Sequence, residues 1–156
     1  MNHLKKIIIL TSIFFLFVSS SYSQDIALRV EIKPEQQSVK NGEEFSVMTK
    51  IINTSHKDQH LQVWSCSYYD NWIINSPWVQ LKAWPCKENA VDEVVLKSGE
   101  IYENKLSLKI GVPAEEILVR EVTFKLGFKM APSDSSNPLI ETPVVWSNLV
   151  TIQIKE

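Results

Sequence analysis

The sequence of 156 residues is poor in the residue types on which most enzymes and nucleic-acid-binding proteins depend. Its four glycines, at positions 42, 99, 111 and 127, are too scattered to form a phosphate-binding loop. It has three histidines and no Gly-x-Ser-x-Gly motif, so no nucleophile stands beside a recognisable base. Because 16 Lys and Arg stand against 18 Asp and Glu, a basic nucleic-acid-binding protein is excluded. We therefore expect a protein without enzymatic activity or a cofactor.

Long apolar runs are also scarce, and the single one lies at the N-terminus. Two lysines precede residues 7–18, which carry no charge, and a serine-rich stretch follows. This order is typical of a secretory signal peptide, cleaved here between Ser23 and Gln24. Twelve apolar residues are too short to cross a bilayer comfortably. We expect a signal peptide over 1–23 and a secreted or periplasmic protein without a membrane span over 24–156.

The expected mature chain has the size of one domain. Without the two lysines of the leader it keeps 14 Lys and Arg against 18 Asp and Glu, a formal net charge of −4 instead of −2. A chain of this length buries about two-thirds of its unfolded surface when it folds. It contains no internal repeat, low-complexity tract or long linker, so residues 24–156 are predicted to form a single domain.

Cysteine is limited to Cys66 and Cys86. An even pair in an exported protein predicts a disulfide bond. Closing a loop of about 20 residues should contribute about 3 kcal/mol in the chain-entropy model. Two free thiols, or a metal site that recruits two histidines from elsewhere, are the alternatives.

Apolar and polar residues alternate with period two over most of the chain. This pattern is typical of strands with one face in the core and one in water. The spacing of an amphipathic helix is nowhere kept for three turns, and residues 113–118 offer one helical turn at most. About eight strands are predicted, which indicates an antiparallel sandwich or barrel. Their ranges are 26–32, 45–52, 60–66, 77–84, 91–96, 106–110, 122–130 and 150–154.

Three segments resemble strands of a known family. Residues 45–55 (FSVMTKIINTS), 96–102 (LKSGEIY) and 146–154 (WSNLVTIQI) are similar to the B, E and G strands of bacterial extracytoplasmic immunoglobulin-like domains. The resemblance implies an all-β, immunoglobulin-like antiparallel β-sandwich of about seven to nine strands with one disulfide. The chain departs from antibody domains, whose disulfide joins strands B and F, because Cys66 and Cys86 both lie in its middle.

A similar arrangement of strands occurs in the intracellular proteinase-inhibitor-like family. This second resemblance implies an alternative function, an inhibitor or protective factor against a secreted hydrolase. Because a fold does not specify a function, the function has to be argued from particular residues.

Aromatic residues are concentrated in the window 64–84. Six of the 11 aromatic residues after Gln24 fall in these 21 positions, and the expected disulfide brackets much of the window. Rigid, amphipathic rings on a closed loop suit the recognition of a protein or a glycan. Core packing is the competing interpretation, since a tryptophan of strand C packs in the core of many sandwiches. The expected binding residues are Tyr68, Tyr69, Asp70, Asn71 and Trp72.

Two short motifs offer further chemistry. His56, Asp58 and His60 alternate, so in an extended strand they would share one side and could bind Zn²⁺ or Cu²⁺. The competing interpretation is a solvated polar loop. Asn53 begins an Asn-Thr-Ser sequence that matches a glycosylation acceptor in an accessible turn, and we interpret it as turn chemistry.

These observations favour a secreted or periplasmic, non-enzymatic binding or interaction module, with a protein more strongly expected as ligand than a glycan. The inhibitor or protective factor is the first alternative. A metal-binding protein or enzyme that uses His56 and His60 is the second.

Overall fold

The structure, a computed structural model, describes residues 27–116, 118–131 and 143–155. The expected signal peptide lies outside these ranges, as do residues 132–138, for which the two prolines of the sequence predict a turn. In the described ranges, no helix has the length and hydrophobicity needed to cross a membrane. The elements are β1 (Leu28–Pro34), β2 (Ser38–Lys40), β3 (Glu44–Asn53), β4 (Gln59–Trp64), the 3₁₀ turn η1 (Tyr68–Asn71), β5 (Trp72–Ile74), β6 (Val79–Leu81), β7 (Val91–Leu96), β8 (Ile101–Ile110), the 3₁₀ turn η2 (Ala114–Glu116), β9 (Glu121–Phe124), β10 (Leu126–Lys129), β11 (Val144–Trp146) and β12 (Val150–Lys155).

The fold is all-β, and its largest sheet has the strand order β1-β3-β8-β6, with every pair antiparallel. Three smaller sheets, β2-β12-β9, β11-β10-β5 and β4-β7, contribute side chains to the same core. Phe45 on β3 meets Phe124 on β9 edge to face, with ring centroids 6.2 Å apart. This arrangement is the expected sandwich with one disulfide, and the one parallel pair of named strands joins β2 to β12.

The alternation of the sequence correctly predicts which side chains form the core. Buried residues recur at every second position over 45–51 of β3, 106–110 of β8, 122–124 of β9 and 150–152 of β12. The 3₁₀ turn η2 occupies the single helical turn that the sequence suggests at 113–118. Gly42 and Gly99 have positive φ angles of 87° and 78°, which explains why glycine occupies these two turn positions.

The expected single strand at 122–130 is wrong, because the chain changes sheets at Lys125. β9 pairs with β12, whereas β10 pairs with β5 and β11. Side-chain oxygens bridge the interruption: the Lys125 N–H donates to Asn75 Oδ1 at 2.7 Å, and the Leu126 N–H donates to Ser147 Oγ at 3.0 Å. Such interruptions, together with strands of only three residues, raise the number of strands in the described ranges to twelve, above the seven to nine expected.

Asn53 is buried, which corrects the expectation that its turn leaves it accessible. Its Nδ2 donates to the Lys57 and Leu96 carbonyl oxygens at 2.7 and 2.8 Å, and its Oδ1 accepts from both the N–H and the hydroxyl of Ser55. Every polar atom of the amide is thus used within the fold. Asn53 is a turn residue, as interpreted from the sequence, and its amide is not presented to solvent.

Candidate functional site

The aromatic window is folded into the core to a greater extent than expected. Trp72 is only 5% exposed, so the prediction that it is a surface anchor is wrong. β5 pairs with β10 and sets Trp72 opposite Phe128, and the two rings pack edge to face with centroids 5.4 Å apart. The core-packing interpretation therefore holds for Trp72.

Asn71 is buried as well, and its amide joins three parts of the fold. Its Oδ1 accepts from the Trp64 N–H at 2.9 Å, while its Nδ2 donates to the carbonyl oxygens of Gln62 and Lys129 at 3.3 and 3.0 Å. The expected surface contact by Asn71 is wrong because these bonds hold η1 between β4 and β10. A buried amide needs such partners, since an unpaired one would be costly.

Tyr68 and Tyr69 are half-buried and pack on Trp84, with ring centroids 4.6 and 4.5 Å apart. The Tyr68 hydroxyl donates to the Lys105 carbonyl oxygen, and the Tyr69 hydroxyl donates to that of Trp84. Burial raises the pKa of the Tyr68 hydroxyl above its usual range, and nearby Tyr102 adds to the rise. Through these contacts with Trp84, the two tyrosines of η1 hold the segment that follows β6 in place. A role for Tyr68, Tyr69 and the exposed Asp70 in binding stays a prediction.

The predicted disulfide is formed and closes the same region. Cys66 and Cys86 are bonded, with Cα atoms 6.0 Å apart. Next to the bond, Asn89 Oδ1 accepts from the backbone N–H groups of Cys66 and Ser67 at 3.3 and 3.2 Å. The irregular segment between β6 and β7 is therefore held by covalent, aromatic and amide contacts.

His56, Asp58 and His60 do not form the extended array that the metal hypothesis requires. β4 begins only at Gln59, so His56 and Asp58 lie in the preceding turn. His60 Nδ1 lies 2.7 Å from Glu93 Oε1. Among the described residues, no group of three His, Cys, Asp or Glu side chains could hold a metal ion.

A different surface, formed by β4 and β7, exposes apolar side chains. Leu61 and Val63 of β4 point into the core, so the intervening residues and their partners on β7 form the opposite face. Val91 and Val95 on this face are 39% and 45% exposed. We name this surface the outer ribbon face, and its residues are His60, Gln62, Trp64, Val91, Glu93 and Val95.

One edge of β7 is open. Within the described residues β7 pairs only with β4. The Ser65 N–H donates to the Ala90 carbonyl oxygen at 2.9 Å, and bonded positions in an antiparallel ladder recur at every second residue. The backbone N–H and C=O groups of Val91, Glu93 and Val95 therefore point away from β4. Their side chains belong to the outer ribbon face.

Other edges of the fold are short or covered. The strands β2, β5, β6 and β11 have three residues each, and β9 has four. The seven-residue β1 is covered by Asn148, which bonds to both backbone groups of Ile32. β4 receives the Ala131 N–H at the Gln62 carbonyl oxygen. The six-residue edge of β7 is thus the longest open edge in the part of the chain that the structure describes.

Sequence reasoning identified β7 as a strand but missed this site. Residues 91–96 (VDEVVL) place apolar side chains on both faces of the strand, and that pattern is the available signal. Whether such a strand lies in the middle of a sheet or at its edge depends on pairing with distant residues, which alternation does not reveal.

No family model and no curated protein matches this chain. The solved structures to which it is similar include a FixG-related protein from Vibrio parahaemolyticus and Spo0M, a sporulation control protein from Bacillus subtilis. The first is 12% identical over 83% of this chain and 98% of its own, with a TM-score of 0.46. The second is 11% identical over 82% of this chain and 48% of its own, with a TM-score of 0.44. Similarities at this level carry no argument about function.

Proposed function

We propose that this protein is a secreted or periplasmic, non-enzymatic binding module of the bacterial immunoglobulin-like type, and that it recognises an extended segment of a partner protein along β7. The open six-residue edge beside exposed apolar side chains is the observation that carries the proposal. The disulfide supports an extracytoplasmic location, since such bonds persist in oxidising compartments.

Strand addition explains why this edge is useful. An extended segment would bond to the backbone groups of Val91, Glu93 and Val95 that point away from β4, and the alternate side chains on the outer ribbon face would select it. Natural edge strands are often protected by charged side chains, especially lysine, by proline or by a bulge. β7 carries the charges of Asp92 and Glu93 but contains neither lysine nor proline, and its register with β4 is unbroken. A protein ligand is favoured over a glycan because the rings of Tyr68 and Tyr69 pack on Trp84 and do not form an open stacking platform.

A proline at position 95 tests the proposal selectively. The Val95 N–H points to the open edge, so Val95→Pro should remove a recognition donor while leaving the β4 ladder intact. Val95→Thr keeps the N–H and a β-branched side chain, which makes it the matched control. Each protein, expressed from the full-length sequence and exported by its own host, would be immobilised and exposed to the secreted proteins of that host. N-terminal sequencing of the same material should begin at Gln24.

We expect wild type and Val95→Thr to retain a partner of which Val95→Pro retains at least tenfold less. The melting temperatures of the three proteins should lie within about 3 °C of one another. Hydrogen exchange at Val91, Glu93 and Val95 should slow when the partner is added. Equal retention by both variants would contradict recognition through β7. If the retained partner is a hydrolase whose activity falls on binding, the inhibitor alternative is the correct form of the proposal.

A further inference from the structure

A groove lies at one end of the sandwich, away from the strand β7 and independent of the function proposed for it. Its volume is about 720 Å³, within the range of small-molecule sites, which is roughly 300–1,000 Å³. Val112, Val119 and Ile154 form part of its walls, and Leu118 stands at its rim with 85% of its surface exposed. Together with these walls Leu118 forms an apolar patch, and such patches, unlike single exposed residues, mark binding sites.

The groove is held open by contacts within the fold. Asn41 Nδ2 donates to the Val112 carbonyl oxygen, and Asn41 Oδ1 accepts from the Val112 N–H, both at 2.9 Å. The Gly42 N–H donates to the Ile110 carbonyl oxygen at 2.8 Å. These bonds fix the segment after β8 against the end of β2. They engage both polar ends of the Asn41 amide with the backbone of Val112.

Positive charge is concentrated on the same groove. Lys40 and Lys155 line it and are direct partners in the parallel pairing of β2 with β12. Like charges directly opposite one another on adjacent strands destabilise a sheet. Neither ammonium group forms a salt bridge with a described residue. Among the described residues that line the groove, one carries a carboxylate, Glu116.

We infer that this groove binds an amphipathic carboxylate, a molecule with one apolar chain and one anionic head. The head would lie between the ammonium groups of Lys40 and Lys155, where it would relieve their repulsion. The chain would lie along Val112, Val119 and Ile154 and would be covered by Leu118. A peptide fits less well, because the walls are largely apolar, whereas the backbone of a peptide needs hydrogen-bond partners.

Titration of the full-length protein with decanoate, followed by calorimetry and NMR, tests the inference. Decanol has the same chain without the charge, and butyrate has the same charge with a short chain. We expect decanoate to bind at one saturable site at least tenfold more tightly than either, and to shift the amide signals of Val112, Val119 and Ile154. Equal affinity for butyrate, shifts confined to β7, or no saturable binding would overturn the inference.

Two variants separate the contribution of charge from that of the apolar walls. Lys40→Gln/Lys155→Gln should weaken decanoate about tenfold and leave decanol unchanged, whereas Lys57→Gln/Lys97→Gln, which removes two charges elsewhere, should leave both unchanged. Leu118→Ser should weaken decanoate and decanol alike, by threefold or more, without altering the melting temperature. If the Lys40/Lys155 variant binds decanoate as wild type does, the inference is wrong. Binding to anionic lipid vesicles but not to free decanoate would also overturn it.

Discussion

The side-chain amide of Asn148 bonds to both backbone groups of Ile32, at the outer edge of β1. Asn148 Oδ1 accepts from the Ile32 N–H at 2.8 Å, and its Nδ2 donates to the Ile32 carbonyl oxygen at 3.2 Å. A residue of a neighbouring strand would make the same two bonds, so one side chain occupies the pairing positions of a strand. Covering an edge in this way protects a sheet from pairing with other chains.

We predict that Asn148→Ala destabilises the protein by about 1–2 kcal/mol, because each lost hydrogen bond is worth about 0.5–1.5 kcal/mol. Urea unfolding measures the change. Leu149→Ala, at the exposed neighbouring position, is the control and should stay within about 0.5 kcal/mol of wild type. Equal stability of Asn148→Ala and the control would show that water replaces the amide at no cost.

Gly127 is required for close packing between β5, β10 and β11. A Cβ atom placed there would lie 2.5 Å from Val144 Cγ1 and 3.0 Å from both Ile73 Cγ1 and Trp146 Cε3. Gly127→Ala should therefore cost about 1–3 kcal/mol through overpacking. At Gly111 a Cβ would meet no atom within 4 Å, so Gly111→Ala should be neutral or slightly stabilising. Thermal unfolding of the pair measures the difference, and equal melting temperatures would contradict the prediction.

Alternation predicts the long strands and the core because its physical cause is local. Each residue of β3 or β8 faces either the core or water, and the sequence records that choice at every second position. β2, β5 and β11 are too short for the same signal to appear. The change of sheet at Lys125 depends on Asn75 and Ser147, which are distant in sequence, so periodicity gives no warning of it.

The candidate site was harder to predict than the fold. An aromatic cluster has the same composition whether it binds a partner or packs, and Trp72 is buried only because β5 pairs with β10. The open edge of β7 is defined by which strands lie beside it. Both properties depend on contacts between segments far apart in the chain. Only the disulfide, for which exported proteins have a strong general rule, could be predicted by residue number.

Removal of the disulfide should destabilise the domain without unfolding it. The double variant Cys66→Ser/Cys86→Ser frees a segment whose ends are 20 residues apart, and the expected loss is about 3 kcal/mol in the chain-entropy model. The contacts of Tyr68 and Tyr69 with Trp84 should keep the segment in place. Unfolding in urea with and without a reductant measures the loss for wild type, and the double variant should not respond to the reductant.

Ionisation of Tyr68 should destabilise the folded protein in alkali. Burial and the neighbouring Tyr102 raise its pKa in the folded state. The associated stability is fully present below the unfolded pKa of about 10 and is lost as the pH rises through the folded pKa. Tyrosinate absorbance should show a component above the usual range that Tyr68→Phe removes. If the component removed by Tyr68→Phe titrates in the usual range, the hydroxyl is not shielded.

Trp72→Ala distinguishes core packing from surface recognition most directly. The ring is 5% exposed and packs on Phe128, so its removal should cost about 3–5 kcal/mol of unfolding free energy, as large aromatic truncations in cores do. Trp146→Ala removes the same side chain from a position 43% exposed and should cost less than half as much. Urea unfolding of both variants gives the comparison, provided that the slope against urea is the same as for wild type. A loss below about 1 kcal/mol for Trp72→Ala would place the ring outside the core and restore it as a candidate for binding.

With the expected loss, any partner should bind the folded fraction of Trp72→Ala as tightly as it binds wild type, because recognition is assigned to β7.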